Sequence, residues 1–289
     1  MLRSSLRHRH LGVNGVTLHV VTAGPEGGPA VLLLHGFPEL WAAWLPYVDA
    51  LVEAGFRVIV PDQRGYGESE KPWAVGAYAI DELSRDVLGI LDALGVERAA
   101  LVGHDWGAAV AWWTAMRAPE RTDRLVAVNV PHPAVLRTAL AQSPEQLGRS
   151  WYMFFFQLPY LPERLFALEG GRRMLKLLRA TGRPGTFVAE HEAALLEAWA
   201  RPGAARGMLN WYRAARAMLS AAPPEEPRIR VKTLIVWGAR DRMLGRELAE
   251  QSLALCDDGR LRWFEEATHW VTHEEVPAVT AELLAFLAT

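Results

Sequence analysis

Ala99-Ala100-Leu101-Val102-Gly103-His104-Asp105-Trp106-Gly107-Ala108 decides how the rest of this chain is read. A short apolar run ends in Gly-x-Asp-x-Gly and passes directly into a segment of helical character, Ala108 to Met116. Strand, tight glycine turn and helix in that order form a nucleophile-elbow pattern, with Asp in the slot more often held by Ser. The turn lifts one side chain above a sheet and leaves the first N–H groups of the helix beside it. Asp in the slot changes the chemistry. A serine oxygen attacking a saturated carbon would leave an ether that activated water does not cleave. A carboxylate attacking the same carbon leaves an ester, which water cleaves while restoring the Asp. Asp105 therefore points to substitution at an alkyl carbon, as in epoxide opening or dehalogenation, and away from esterase or peptidase activity. The simpler reading of Asp105 is an N-cap for the helix that begins at Trp106.

Working outward, short apolar runs alternate with helix-period segments. Val16 to Val21, Ala30 to Leu34, Arg57 to Val60, Arg124 to Asn129, Thr233 to Trp237 and Arg260 to Phe264 read as further strands. Trp41 to Glu53, the stretch from Ile80 to Leu94 and a final segment from Val276 to Leu287 read as helices. This alternation predicts an α/β fold with a mostly parallel central sheet and helices on both faces. Reactive groups in such folds sit in loops beyond the carboxyl ends of strands. From Pro133 to Pro224 the rhythm breaks: the stretch is helix-like and rich in Trp, Phe, Tyr and Arg. We read residues 133–224 as an inserted helical cap and residues 1–132 with 225–289 as the core domain. Pro131, Pro133 and the Pro223-Pro224 pair mark the borders.

Three more motifs follow strands. His269 lies in Glu265-Glu266-Ala267-Thr268-His269-Trp270, and Asp241 in Gly238-Ala239-Arg240-Asp241. The chain order is nucleophile, acid, histidine, as in α/β-hydrolases. Asp241 would hold one ring nitrogen of His269, leaving the other to activate water. Taken singly, Asp241 also reads as a cap and His269 as a loop histidine; no carboxylate near Asn129 competes for the acid role. In His35-Gly36-Phe37-Pro38-Glu39 the N–H of Phe37 could join that of Trp106 around an oxyanion, with His35 supporting the loop. Asp62 to Ser69, with Gly65-Tyr66-Gly67, is expected to pack rather than react, and lacks the Gly-Lys-Ser/Thr of a phosphate loop. His273, between Thr272 and Glu274, reads as solvated.

Composition bounds the partners. Hydrophobic residues make up 51% of 289 and the net charge is −2, which suits a globular protein and gives no basic field for nucleic acid. The longest apolar candidate, Leu161 to Leu178, is broken by Glu163, Arg164, Glu169, Arg172 and Arg173, so no membrane span is expected. Met1 to His10 carries Arg3, Arg7 and Arg9, lacks the apolar stretch of a secretory signal, and reads as a frayed, solvated terminus. Cys256 is the single cysteine, so no disulfide framework is expected, and a cytoplasmic setting suits it. The spacing of His and Cys offers no zinc site, and no metal or organic cofactor is expected.

His35 to Glu39, Asp62 to Ser69, Gly103 to Gly107 and the late Asp241–His269 pair together resemble the epoxide hydrolase branch of the α/β-hydrolase superfamily, from about Leu11 to Leu287. Haloalkane dehalogenases share Asp-Trp-Gly. The resemblance implies two cap tyrosines that donate to the epoxide oxygen. Trp151-Tyr152-Met153-Phe154-Phe155-Phe156-Gln157-Leu158-Pro159 is similar to the first tyrosine motif and Leu209-Asn210-Trp211-Tyr212-Arg213 to the second. It thus implies conversion of a small apolar epoxide and water to a diol, through Asp105, Tyr152, Tyr212, His269 and Asp241. Trp106, Phe154, Phe155, Trp211 and Pro38 are expected around an apolar pocket. A dehalogenase would need N–H donors for halide. Phe37 occupies one such position, while Trp151, Trp199 and Trp211 remain candidates. A third reading, a non-catalytic binding protein on the same fold, expects one of the three catalytic groups to be lost.

Overall fold

In a computed structural model, residues 5–220 and 227–288 are described. The Pro223-Pro224 border lies outside them. Eight strands form one sheet: β1 (Arg7–Val13), β2 (Val16–Ala23), β3 (Ala30–Leu34), β4 (Arg57–Pro61), β5 (Ala99–His104), β6 (Thr122–Val128), β7 (Lys232–Gly238) and β8 (Gly259–Phe264). Their spatial order is β1-β2-β4-β3-β5-β6-β7-β8. The pairs β1–β2 and β2–β4 are antiparallel, and every other pair is parallel. The α/β class and the mostly parallel sheet are as expected.

Strand side chains alternate between two apolar layers, as a period of two requires. Leu32, Leu34 and Leu101 enter one layer, where Leu83 and Val87 of α2 (Ile80–Ala93) and Ala108 and Trp112 of α3 (Trp106–Arg117) meet them. Val31, Leu33 and Val102 enter the other, against Val48 and Leu51 of α1 (Leu45–Glu53) and Val279 and Leu283 of the last helix. Strands buried on both faces read as continuous apolar runs, which is why the sequence shows them so plainly.

One terminal expectation is corrected. Arg7 to His10 is not frayed: it belongs to β1, in register from Arg7 with Thr22 to Val13 with Val16. Edge strands tolerate such charge because one face meets water.

Seven α-helices follow β6 before β7 among the described residues: α4 (Pro133–Gln142), α5 (Pro144–Arg149), α6 (Trp151–Phe155), α7 (Leu161–Ala167), α8 (Arg172–Thr181), α9 (Ala189–Ala200) and α10 (Ala204–Ser220). After β7 come α11 (Glu247–Leu253), α12 (Val271–Glu274) and α13 (Val276–Leu287).

Candidate active site

The turn after β5 is built by close approach. A Cβ at Gly107 would meet the Leu34 carbonyl, one at Gly103 would meet Gly107, and one at Gly36 would meet the Asp105 side chain. Those three glycines let the loop after β3 and the start of α3 lie against the elbow. Asp105 occupies the N-cap position of α3 with φ 50° and ψ −125°, a conformation that L residues rarely adopt and that clusters at functional sites. Its carboxylate makes no cap bond, so the simple capping role is absent. It turns instead to Phe37, whose N–H donates to Oδ1 at 2.7 Å, and to His269, whose Nε2 lies 3.4 Å from Oδ2. Trp106 is the first helical residue, so its N–H has no carbonyl one turn before it.

His269 bridges the two carboxylates. Its Nδ1 is 2.7 Å from Asp241 Oδ2 on the side away from Asp105. Asp241 is fixed by N–H donors from Met243 (2.7 Å) and Leu244 (3.0 Å) to Oδ1, and by Asn129 Nδ2 (2.8 Å) to Oδ2. Asn129 itself accepts from Gly238 N–H at 2.8 Å, tying the ends of β6 and β7 together. Asp105, Asp241 and His269 are thus brought into one chain of contacts. Burial pulls the His269 proton affinity down, but the charges of Asp241 and Asp105 outweigh it and raise the pKa to about 10. Burial pushes Asp105 upward, and the His269 hydrogen bond and charge, with smaller help from His104 and the Phe37 N–H, hold it below the usual carboxylate range. Both shifts favour an ionised Asp105 beside a protonated His269.

Asp105 and Trp106 form the floor of a cavity whose walls include Tyr152 and Met153 from α6, Tyr212 and Ala215 from α10, and Val130, Leu136 and Leu244. Tyr212 packs edge-on against Phe37 and Trp106, at centroid distances of 5.0 and 5.1 Å, and Tyr152 stands 5.9 Å from Tyr212. Burial, then the Asp105 charge, raises the pKa of both phenols, so each is a neutral donor.

Several expected pocket residues lie elsewhere. Phe154 is 57% exposed on the outer face of α6, and neither it nor Phe155 lines the cavity. A five-residue helix cannot turn a whole aromatic block inward; it turns Tyr152 and Met153 in and Trp151 and Phe154 out. Trp211 is buried behind Trp106, and its Nε1 donates to the Arg64 carbonyl at 2.9 Å. Pro38 is also behind the wall, its carbonyl accepting from Trp199 Nε1 at 2.8 Å. His35 supports its loop as expected: Nδ1 contacts the Gly36 carbonyl at 3.0 Å and Nε2 accepts the Gln63 N–H at 3.1 Å. His273 is not solvated. Its Nε2 lies 2.6 Å from Glu39 Oε1, because α12 turns it inward while Glu274 bonds Thr268.

Sequence reasoning passed over Asn129, Glu39 and His104. His104 Nε2 meets the His269 carbonyl at 2.9 Å, and His104 Nδ1 faces Glu39 Oε2 at 3.3 Å. Position beside the nucleophile was the one available signal for His104; the partners of Glu39 and Asn129 are far away in sequence.

Three comparisons bear on this geometry. Residues 29–276 match the α/β hydrolase fold family. The AB hydrolase superfamily protein YfhM of Bacillus subtilis (strain 168) is 42% identical, over 95% of each chain. Epoxide hydrolase 4 of Mus musculus is 35% identical, over 95% of this chain and 77% of its own. A solved structure described as one of the novel epoxide hydrolases from metagenomes of hot environments superposes with a TM-score of 0.88 and 33% identity, over 98% of this chain and 99% of its own.

Proposed function

Because this chain belongs to the α/β hydrolase fold family, in its epoxide hydrolase branch, we propose that it hydrolyses a small apolar epoxide to a vicinal diol through a covalent ester on Asp105. The observation that carries this reading is one cavity holding the Asp105 carboxylate at its floor and two neutral phenols, Tyr152 and Tyr212, in its walls.

In the first half-reaction an Asp105 oxygen attacks one epoxide carbon as the ring C–O bond breaks. The released oxygen takes a proton from Tyr152 or Tyr212. Their interaction strengthens as charge develops on that oxygen, which favours the transition state over the bound substrate. Esterification removes the Asp105 charge that had raised both the phenols and His269. His269 then holds its proton less tightly, and that proton restores the phenol. In the second half-reaction neutral His269, oriented by Asp241, takes a proton from water. The hydroxide attacks Cγ of Asp105, the N–H groups of Phe37 and Trp106 hold the oxyanion, and the acyl C–O bond breaks; the departing oxygen takes the second water proton, so the diol leaves with Asp105 again a carboxylate and His269 an imidazolium. The loss of one charge at Asp105 thus converts the site from alkylation to hydrolysis.

Dehalogenation receives no such support. Trp199 and Trp211 spend their indole N–H groups on the carbonyls of Pro38 and Arg64, and Trp151 is 64% exposed. A binding protein that had lost turnover would have no reason to keep Asp105, His269 and Asp241 in contact. Residues 133–224 act as the cap domain in this proposal, supplying both phenols. No helix among the described residues is long and apolar enough to cross a membrane. We place the enzyme in the cytoplasm, where its one free cysteine, the buried Cys256, stays reduced.

Single turnover of a small epoxide panel in ¹⁸O-water tests the mechanism. Label should enter Asp105 before it appears in diol, and Asp105→Ala should not turn over. Diol labelled in the first turnover, with Asp105 unlabelled, would mean direct attack by water.

A further inference from the structure

Glu39 lies behind the catalytic histidine and is 2% exposed, yet three imidazoles converge on its carboxylate. His273 Nε2 is 2.6 Å and His191 Nε2 3.2 Å from Oε1, while His104 Nδ1 is 3.3 Å from Oε2. One carboxylate needs a single cationic partner for neutrality, so three imidazoles exceed what charge pairing requires. One donor atom from each of Glu39, His191 and His273 lies within 4.8 Å of the other two. On a tetrahedral zinc ion, with bonds of roughly 2.0–2.1 Å, donor atoms stand about 3.3 Å apart. His191 already has that spacing from Glu39, while His273 must move outward from Glu39 and the two imidazole donors, within 4.8 Å of each other, must settle at the same separation.

We propose that Glu39, His191 and His273 form a binding site for a divalent transition metal of the zinc type, which clamps the inserted helices to the core. Two imidazoles and one carboxylate suit zinc, cobalt or nickel; magnesium and calcium prefer all-oxygen sets. The donors come from three elements: the loop after β3, α9 and α12. Spacing along the chain therefore carries no sign of them. His104 Nδ1 stands 3.3 Å from the second carboxylate oxygen, close to the ligand set without being part of it. The ion takes the place of the hydrogens now shared between Glu39 and the two rings, and a water completes its coordination. It would join α9 to the loop that carries Phe37, without touching the Asp105 cavity.

The full chain, stripped with chelator, should take up one equivalent of zinc in equilibrium dialysis and melt at a higher temperature when zinc is present. His191→Phe keeps a ring against Phe187 but removes a donor, and should weaken zinc binding at least about 100-fold, more than the loss of an outer-shell partner costs. His191→Gln keeps a hydrogen bond to Glu39 and tests the same loss if the Phe variant folds poorly. His10→Gln, on exposed β1, should leave the stoichiometry unchanged. The proposal is overturned if zinc shows no saturable binding. It is equally overturned if binding survives both His191 variants, or if His10→Gln removes it. The readouts use no epoxide, so their failure is separate from failure of the catalytic reading.

Discussion

Asp105 and His269 are the two groups whose protonation the fold controls most tightly, and each depends on the other. His269 has a folded pKa of about 10, against an ordinary value of 6.5. A group raised on folding contributes stability that is fully present below its unfolded pKa and lost as pH rises through its folded one. Asp105 is depressed, so its contribution is present above the ordinary carboxylate value and lost as pH falls through its lowered one. The melting advantage of the wild type over His269→Gln should therefore be greatest near about pH 5–6 and shrink toward pH 10. Calorimetry across that range checks it; a pH-independent difference would mean the pair is not charged at rest. The same variant keeps Asp105 as nucleophile but removes the base. It should accumulate the alkylated protein, visible in intact mass as the chain plus one substrate, while diol release stops. The residues that hold this pair were only partly legible. Asp105, Asp241 and His269 stood out because each follows a strand and their order is diagnostic. Asn129 did not, because nothing local marks an amide whose partner, Asp241, is 112 residues away.

Elements deliver the remaining groups, and their geometry explains what the chain showed and hid. The buried strands were legible because a strand covered on both faces has few polar options. β1 is hidden in the sequence because Arg7, His8, Arg9 and His10 carry charge and polarity in place of apolar alternation, yet its pairing with β2 needs only backbone. In α6, consecutive aromatics have no period, so the sequence could not say which of Trp151, Tyr152, Phe154 and Phe155 turn inward. The cavity takes only Tyr152 of these, joined by Tyr212 from α10. If the two helices act together on one oxygen, Tyr152→Phe and Tyr212→Phe should each lower the alkylation rate on the order of 10²-fold, and the double variant by much more. Stopped-flow tryptophan fluorescence would measure this. Substrate binding should change little, since the rings stay; unchanged alkylation in the double variant would remove both phenols from the mechanism. The loop after β3 offers a steric test. A Cβ at Gly36 has no space beside Asp105, so Gly36→Ala should push the elbow out of place. We expect a loss of about 1–3 kcal/mol from overpacking and a larger proportional loss of alkylation, read by urea melts and single turnover. Wild-type rates in that variant would mean the elbow has slack that the packing does not suggest.

At the scale of the whole molecule, the helical insertion and the sheet are one packed body. The apolar layer that holds Leu32, Leu101 and Trp112 runs without a break into Phe156, Phe166, Leu195, Trp199, Trp211 and Tyr212 of the insertion. Polar ties reinforce it at its edges. Trp199 donates to Pro38, Trp211 to Arg64, Arg201 pairs with Glu68, and Arg183 pairs with Glu274 and Glu275. Domains joined by a small polar interface open separately, whereas a continuous apolar core couples them. The protein should therefore unfold in one cooperative transition, with circular dichroism and cavity-tryptophan fluorescence giving the same midpoint. Trp199→Phe then tests one tie at a time. It keeps most of the ring but removes the donor to the Pro38 carbonyl, leaving that acceptor buried and unpaired at a cost of about 1–3 kcal/mol. Because the insertion and the sheet share one core, that loss should move the single midpoint and leave the transition just as sharp. An earlier, separate fluorescence transition in Trp199→Phe, with the sheet still folded by circular dichroism, would show the insertion held by its edge contacts rather than by the common core.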